Sequence, residues 1–286
     1  MLTRPESLFP ARVRLPNTES WDIRSRAGRA YRIFLAWPDA EPPPGGWDVV
    51  HLLDGNAWFG TLVDSLRMQA RRPEVTGVRP AIAVGIGYPT DEALDVDGRR
   101  YDLTPPCPDG ADPAGAPSVG GADAFLAFLT DELGPMVDAR FGLRAPHRAL
   151  FGHSFGGLFA LHALLTRPGA FAAYAAASPS LWFDGGALLR AAAAARLPAS
   201  AAVMITAGEL EERSPRGTGG PRRGAARGSD RAMIGNAQAM AERLRNRAAG
   251  PRVQFHIFPG ENHVSVVPAA ISRALPFLLA RPAATR

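Results

Sequence analysis

The chain has 286 residues, of which 46% are hydrophobic, 21% charged and 8% aromatic. This composition excludes an intrinsically disordered protein, because burying that much apolar surface offsets the entropy lost on folding. No uninterrupted apolar run reaches the length of about 18 residues that a membrane-spanning helix needs. The single cysteine, Cys107, excludes an internal disulfide bond.

The charge of the chain is basic but dispersed. All 32 basic residues are arginine, and the formal net charge is +5. Because most arginines are scattered, the sequence does not indicate a nucleic-acid-binding surface. Arg4, Pro5, Glu6 and Pro10 interrupt the apolar core that a secretory signal needs, so we expect a cytoplasmic protein with no membrane partner.

Short apolar runs typical of β-strands alternate with amphipathic helical patterns. The predicted strands cover residues 31–37, 49–53, 81–86, 148–151, 171–177, 202–206 and 253–258. One helical face combines Phe125, Phe128, Leu129, Leu133, Met136 and Val137, and another combines Met233, Ala237, Met240 and Leu244. This alternation predicts an α/β fold with a mostly parallel sheet covered by helices on both faces. Ligands of such sheets bind at the carboxyl ends of the strands, so the chemistry is expected directly after each strand.

Two long segments fall outside the alternation. Residues 88–121 are rich in proline, glycine and aspartate, and residues 212–231 are rich in arginine and glycine. Loops of this length are usually functional or disordered. Both follow the carboxyl end of a predicted strand, so both are candidates to roof an active site within a single domain spanning residues 1–286.

The strongest chemical signal is Gly-His-Ser-Phe-Gly-Gly at residues 152–157, between a predicted strand and an apolar helix. A serine on a tight strand-to-helix turn needs small residues two positions before and after it, because side chains there would clash across the turn. Such a turn raises the serine oxygen above the sheet. Ser154 is therefore the predicted nucleophile.

A serine hydroxyl is a weak nucleophile unless a base accepts its proton. Among the six histidines, His263 follows the last predicted strand after the turn at residues 259–262. This position gives the chain order serine, acid, histidine. His51 and His256 lie within predicted strands, and His153 is expected to face away from the serine, so His263 is the predicted base.

The acid that orients the histidine is expected after the strand at residues 202–206, where the chain reads Gly-Glu-Leu-Glu-Glu (208–212). A carboxylate there would fix the imidazole tautomer and stabilise its charged form. Glu211 is the preferred candidate and Glu209 is the alternative, because the sequence separates them poorly.

An oxyanion hole needs two backbone N–H groups. Phe155, directly after the nucleophile, is expected to supply one of them. The loop after the strand at residues 49–53 is expected to supply the other, because Gly55 permits a turn that directs the Asn56 amide towards the serine. For this purpose the side chain of Asn56 is expected to matter less than its amide.

Six motifs occur together in this chain. They are His-Leu-Leu-Asp-Gly-Asn (51–56), Arg-Arg-Tyr-Asp-Leu-Thr-Pro (99–105), Gly-His-Ser-Phe-Gly-Gly-Leu-Phe (152–159), Ser-Pro-Ser-Leu-Trp (178–182), Gly-Glu-Leu-Glu-Glu (208–212) and Gly-Glu-Asn-His (260–263). Across roughly residues 13–280 the chain resembles the branch of the α/β-hydrolases that includes feruloyl esterases, S-formylglutathione hydrolases and mycolyltransferases. Within that branch it is most similar to the esterases that cleave catecholate siderophores such as enterobactin, salmochelin and bacillibactin.

The resemblance implies an α/β-hydrolase fold and an acyl-enzyme on Ser154, with His263 as base and Glu211 in the position of the acid. It implies oxyanion donors at the amides of Asn56 and Phe155. No cofactor or metal ion is implied, although iron would arrive bound to the substrate.

A ferric tri-catecholate is anionic and aromatic, and several side chains suit such a ligand. Arg99 and Arg100 could donate hydrogen bonds to phenolate or carboxyl oxygens. Trp58 and Trp182 follow strand ends and could form ring-stacking walls. Six arginines after the proposed acid could steer an anion to the site; they are Arg213, Arg216, Arg222, Arg223, Arg227 and Arg231.

Two alternatives to a siderophore esterase remain at this stage. The first is a general carboxylesterase, for example on feruloyl-type esters, or an acyltransferase, since the same residues serve both reactions. The second is a non-catalytic relative that binds an anionic ligand or nucleic acid through its arginines. The presence of nucleophile, base and oxyanion loop in order favours an enzyme.

Overall fold

The computed structural model of the protein describes residues 14–107, 119–144, 146–212, 232–247 and 250–281. Its strands are β1 (Thr18–Arg24), β2 (Ala30–Ala36), β3 (Asp48–Leu53), β4 (Ala81–Gly87), β5 (Arg148–His153), β6 (Ala173–Ala177), β7 (Ala202–Gly208) and β8 (Arg252–Phe258). They form one eight-stranded sheet in the order β1-β2-β4-β3-β5-β6-β7-β8. The β1–β2 and β2–β4 pairs are antiparallel and the other pairs are parallel. The predicted α/β class is confirmed.

The helices of the described residues lie between these strands and after the last one. They are α1 (Gly55–Ala70), α2 (Pro73–Thr76), α3 (Val96–Asp102), α4 (Ala122–Ala127), α5 (Gly134–Phe141), α6 (Phe155–Thr166), α7 (Ala187–Ala191), α8 (Met233–Arg245) and α9 (Val266–Leu278). A π-helical turn, Phe128–Leu133, joins α4 to α5, and short 3-10 turns cover Phe183–Gly186 and Glu209–Glu211. None of these helices is long and apolar enough to cross a membrane.

The central strands are buried on both faces, which explains their continuous apolar runs. In β3, Val49 and Leu53 belong to the apolar layer that also contains residues of α6 and α8, whereas Val50 and Leu52 belong to the layer that contains residues of α1 and α9. Successive side chains of a strand point to opposite faces, so each strand contributes to two apolar layers. Helix α6 is buried almost all round, from Gly156 to Leu164. The serine turn that precedes it is therefore attached to a buried helix of the core.

Two details of the sequence-based prediction are wrong. Met136 is predicted to lie on a buried helical face but is 44% exposed, because the π turn before it adds a residue to the helical repeat and rotates the residues after it. The segment 88–121 is not a continuous loop, since it contains α3. Residues 108–118 of this segment lie outside the described residues, as do residues 213–231 with their six arginines, so the roofing role of both segments stays a prediction.

Candidate active site

Ser154 occupies a strained turn between β5 and α6. Its backbone has φ 59° and ψ −115°, a combination that a residue with a side chain adopts only when the surrounding structure enforces it. The Ser154 N–H donates to the Ala177 carbonyl at 2.9 Å, and the Ser154 carbonyl accepts from the Ser180 N–H at 3.1 Å. Hydrogen bonds to β6 and the segment after it thus hold the turn.

The two glycines that flank the serine play different roles. A Cβ at residue 152 would lie 2.1 Å from the Gly156 carbonyl oxygen, so only glycine fits there. A Cβ at residue 156 would lie 3.5 Å from Leu53, which is an ordinary contact. The predicted steric need for glycine is therefore confirmed at Gly152 and is wrong at Gly156. A side chain at residue 152 would clash with the backbone of Gly156.

The structure brings Ser154, His263 and Glu211 into one hydrogen-bonded line. The Ser154 Oγ lies 3.0 Å from His263 Nε2, and His263 Nδ1 lies 2.8 Å from Glu211 Oε2. His263 follows β8, and Glu211 lies in the turn after β7. All three residues therefore reach the same edge of the sheet from the carboxyl ends of three strands, as the topology requires.

The Glu211 carboxylate is buried, with 1% of its side chain exposed. Its Oε1 accepts hydrogen bonds from the Ser178 hydroxyl and the Gly208 N–H, both at 2.5 Å. Burial raises the pKa of Glu211, but the donors on His263, Ser178 and Gly208 outweigh burial and hold this pKa below its ordinary value. The group is therefore a buried, fully hydrogen-bonded anion beside the imidazole.

The neighbouring glutamates face elsewhere. Glu209 is exposed and accepts from the Gly260 N–H at 2.9 Å, so it holds the turn before His263 rather than the histidine itself. Glu212 accepts from the Gly235 N–H at 2.9 Å. Of the two candidates for the acid, the geometry favours Glu211.

The expected oxyanion donors lie at the starts of two helices. Phe155 is the first residue of α6, and Asn56 is the second residue of α1. N–H groups in the first turn of a helix have no carbonyl four residues earlier to bind, so both are available to a ligand. Helix N-termini also favour negative charge.

The Asn56 side chain has a structural role that the sequence did not indicate. Its Nδ2 donates to the carbonyls of Tyr88 and Thr90, and its Oδ1 accepts from the Tyr88 N–H at 2.8 Å. A Cβ at residue 87 would lie 1.9 Å from the same Oδ1, so Gly87 makes room for it. The side chain ties the oxyanion loop to the end of β4, a role that the expectation that it matters less than its amide did not include.

The predicted substrate-binding residues fall into different environments. Arg99 forms a two-pronged ion pair with Asp54, in which Nε lies 2.7 Å from Oδ1 and Nη2 lies 2.9 Å from Oδ2. Trp58 is half-buried and packs against the apolar layer that contains α1 and α9, and its contact with substrate stays a prediction. Trp182 does stand near the nucleophile, since its ring lies 6.1 Å from that of Phe155. Arg100 is half-buried on α3, and its contact with substrate stays a prediction.

His153 lies against the proposed base, a contact that the expectation that it faces away from Ser154 did not include. It is 8% exposed, and its ring centroid lies 4.7 Å from that of His263. Burial, assisted by the nearby His263, lowers the pKa of His153 to about 4. The neutral imidazole ring of His153 therefore packs against the proposed base, His263.

Sequence reasoning also missed what the Ser-Pro-Ser-Leu-Trp motif does. Ser178 donates to Glu211, and the Ser180 Oγ lies 3.2 Å from the Ser154 Oγ. Both side chains are buried. The sequence signal that could have indicated these contacts is a pair of hydroxyl side chains at alternate positions directly after a buried strand. No group of three His, Cys, Asp or Glu side chains within the described residues is placed to hold a metal ion.

A serine on a strand-to-helix elbow, hydrogen-bonded in line to an imidazole and a buried carboxylate, defines a hydrolase of the serine type on an α/β sheet. The family model described as Putative esterase matches residues 25–277, and the chain belongs to that family. It is an esterase of the α/β-hydrolase fold.

Individual relatives cover nearly the whole chain. The ferri-bacillibactin esterase BesA of Bacillus subtilis (strain 168) is 37% identical over 277 residues, which cover 93% of this chain and 90% of BesA. The siderophore triacetylfusarinine C esterase of Aspergillus fumigatus is 34% identical over 286 residues, covering 93% of this chain and 94% of that protein. Among solved structures, the BES protein from Bacillus cereus matches with a TM-score of 0.80 and 34% identity, over 95% of this chain and 99% of that one.

Proposed function

We propose that this esterase hydrolyses the ester bonds of a catecholate siderophore through an acyl-enzyme on Ser154. The observation that carries the chemistry is the line of hydrogen bonds from Ser154 through His263 to Glu211, at 3.0 Å and 2.8 Å. Distances of about 2.6–3.2 Å are those at which a base can take the proton of a nucleophile.

In the acylation half, the Ser154 Oγ forms a bond to the ester carbonyl carbon while His263 Nε2 accepts the hydroxyl proton. The carbonyl oxygen becomes an oxyanion, which accepts hydrogen bonds from the N–H groups of Asn56 and Phe155. His263 then gives the proton to the alcohol oxygen as its bond to carbon breaks. The alcohol leaves, and the acyl group stays on Ser154.

In the deacylation half, a water attacks the acyl carbonyl and gives its proton to His263. The tetrahedral species collapses, the bond to the Ser154 Oγ breaks, and His263 returns the proton to that oxygen. Glu211 stays ionised throughout, because its role is to fix the tautomer and stabilise the imidazolium. The products are a free acid and a free alcohol, and Ser154 and His263 return to their starting protonation states.

The substrate class rests on relatives and on the character of the site. BesA is named for a ferri-siderophore, and the Aspergillus fumigatus relative is also named as a siderophore esterase. Directly after the nucleophile, the half-buried Phe155 ring lies 6.1 Å from the half-buried Trp182 ring and 6.0 Å from the ring of Phe183, which is buried in the core. The half-buried Phe155 and Trp182 rings suit stacking by catechol rings, and Arg100 is a candidate partner for a phenolate oxygen.

The proposal also assigns a place of action. A siderophore esterase with one cysteine and no internal disulfide suits a reducing compartment, so we place the reaction in the cytoplasm, after import of the ferric complex. Cell fractionation with an antibody against the protein checks this assignment.

The deciding experiment is product analysis by liquid chromatography and mass spectrometry. Purified protein is given the ferric and the iron-free tri-catecholate lactone, with a short p-nitrophenyl ester as comparator and Ser154→Ala as control. We expect Ser154-dependent ring opening to linear trimer, dimer or monomer that outpaces turnover of the simple ester. Turnover of the simple ester without lactone cleavage would keep the serine mechanism and reject the siderophore.

A further inference from the structure

The loop before Asn56 adopts a conformation that needs support. Asp54, which precedes α1, has φ 56° and ψ 46°, the left-handed region that non-glycine residues seldom adopt. Its carbonyl accepts from the N–H groups of Ala57 and Trp58 at 3.0 Å and 3.2 Å. This turn sets the direction in which the following amides point, including that of Asn56.

Arg99 supports this turn from a separate element. Its guanidinium makes a two-pronged ion pair with Asp54, and only 11% of the Arg99 side chain and 2% of the Asp54 side chain are exposed. Burial lowers the pKa of Arg99, but Asp54 outweighs it and raises this pKa, so the arginine stays charged. At the C-terminal end of α3, Asp102 forms an ion pair with Arg29 at 2.8 Å. The helix that carries Arg99 is therefore fixed independently of the Arg99–Asp54 pair.

The same ion pair also contacts the start of α6. The Arg99 guanidinium carbon lies 5.7 Å from the centroid of the Phe155 ring, within the range of a cation–π contact. The Asp54 Oδ2 lies 3.6 Å from where a Cβ of residue 156 would stand. The pair therefore lies between the two chain segments that carry the two oxyanion donors.

We propose that the Arg99–Asp54 ion pair is a positioning device that fixes the Asn56 and Phe155 amides relative to each other. This inference rests on the proposed serine-esterase function. The two amides belong to helices that begin after different strands, β3 and β5, and an oxyanion hole works only when both donors reach one oxygen. A buried pair is costly to desolvate and gives little net stability, which fits a role in geometry.

This role replaces the expected contact between Arg99 and substrate. Two of the guanidinium nitrogens are already engaged by one carboxylate. Lysine carries the charge but cannot make the two-pronged contact. The two roles therefore differ in what an Arg99→Lys change would do: a positioning role predicts slower chemistry on every ester, and a substrate contact predicts weaker binding of the anionic substrate alone.

The test uses Arg99→Lys, Arg99→Met, Asp54→Asn and the Asp54→Asn/Arg99→Met double variant, each checked for a cooperative thermal transition. The assays are turnover of a neutral p-nitrophenyl ester and inhibition by a trifluoromethyl ketone, whose adduct with serine places an oxyanion in the hole. We expect kcat to fall about 10–100-fold with KM changed less than about threefold. Inhibition by the ketone should weaken by a similar factor, and the double variant should be no worse than Arg99→Met.

Matched controls come from Arg167 and Asp131, which form an exposed two-pronged pair at 2.8 Å and 3.0 Å near the far end of α6. Arg167→Lys and Asp131→Asn should leave both assays unchanged. Folded Arg99 or Asp54 variants with kcat and ketone inhibition within about twofold of wild type would overturn the proposal. So would a raised KM for the anionic siderophore with normal turnover of the neutral ester. The proposed function fails separately, if wild-type protein shows no turnover that Ser154→Ala abolishes.

Discussion

The Ser178 hydroxyl donates a 2.5 Å hydrogen bond to Glu211 Oε1, while the other oxygen of that carboxylate binds His263 at 2.8 Å. Ser178 directly follows β6 and Glu211 lies in the short turn after β7, so the contact joins the ends of two neighbouring strands. A carboxylate with both oxygens bound can remain ionised although buried. This contact orients the acid towards His263, whereas the exposed Glu209 carboxylate binds the Gly260 N–H instead.

Replacing the two glutamates separately tests the assignment of the acid. Glu211→Gln removes the charge that stabilises the imidazolium and allows the wrong histidine tautomer, so kcat should fall at least about tenfold. Glu209→Gln, a matched change two residues earlier, should leave kcat within about twofold of wild type. Steady-state kinetics on a p-nitrophenyl ester measures both. Equal effects, or a larger loss for Glu209→Gln, would remove Glu211 from the proposed triad.

Ser178→Ala tests whether the serine acts through the acid. Loss of one hydrogen bond to a charged group should lower kcat about 3–30-fold, with little change in KM. In a Glu211→Gln background the same change should cost almost nothing further, because the interaction it supports is already gone. The four proteins of this cycle are compared by kcat. Fully additive losses would show that Ser178 contributes to activity by some route other than Glu211.

The part of the fold that sequence predicts well is the part governed by apolar periodicity. Strands such as β3 and β4 are buried on both faces, and their continuous apolar runs mark them clearly. The edge strand β1 was missed because only one side of it packs, and its sequence includes Glu19, Asp22 and Arg24. Helix α3 was missed because its seven residues, of which four are charged and one is glycine, carry no apolar face. Its position depends on ion pairs at Arg99 and Asp102, which are tertiary contacts.

The candidate site likewise contains residues whose positions the sequence predicts and residues whose positions depend on tertiary contacts. Ser154 and His263 follow from topology, because the chain must place them at strand ends. Whether Arg99 faces substrate or Asp54 depends on a contact across 45 residues of sequence, which no local pattern encodes. The position of the His153 ring against His263 likewise depends on how two loops approach each other.

The two glycines of the serine elbow offer a matched pair for stability. Gly152→Ala places a methyl group 2.1 Å from the Gly156 carbonyl oxygen, so the elbow must open. We expect a loss of at least about 3 kcal/mol in the free energy of unfolding, or failure to fold. Gly156→Ala meets only ordinary contacts at 3.5 Å and should cost less than about 1.5 kcal/mol. Urea unfolding measures both, and similar losses for the two variants would contradict the steric account.

Two buried histidines should make the fold sensitive to mild acid. Burial, together with the nearby Arg148, lowers the pKa of His51 to about 3, and burial beside His263 lowers that of His153 to about 4, from an ordinary 6.5. The unfolded chain therefore binds these protons more readily than the folded one. Stability from both groups is complete above about pH 6.5 and is lost as the pH falls towards their folded values.

Urea unfolding between about pH 6.5 and pH 5 isolates this effect, because most carboxylates are still ionised there. Near pH 5, where these histidines are almost fully protonated in the unfolded chain, the two groups together should lower the free energy of unfolding by about 2.7 kcal/mol per pH unit. His51→Leu removes one of the two groups and should reduce the slope to about half, whatever it does to stability at neutral pH. A slope that is unchanged in His51→Leu, or a flat profile in wild type, would show that these histidines do not stay neutral in the fold.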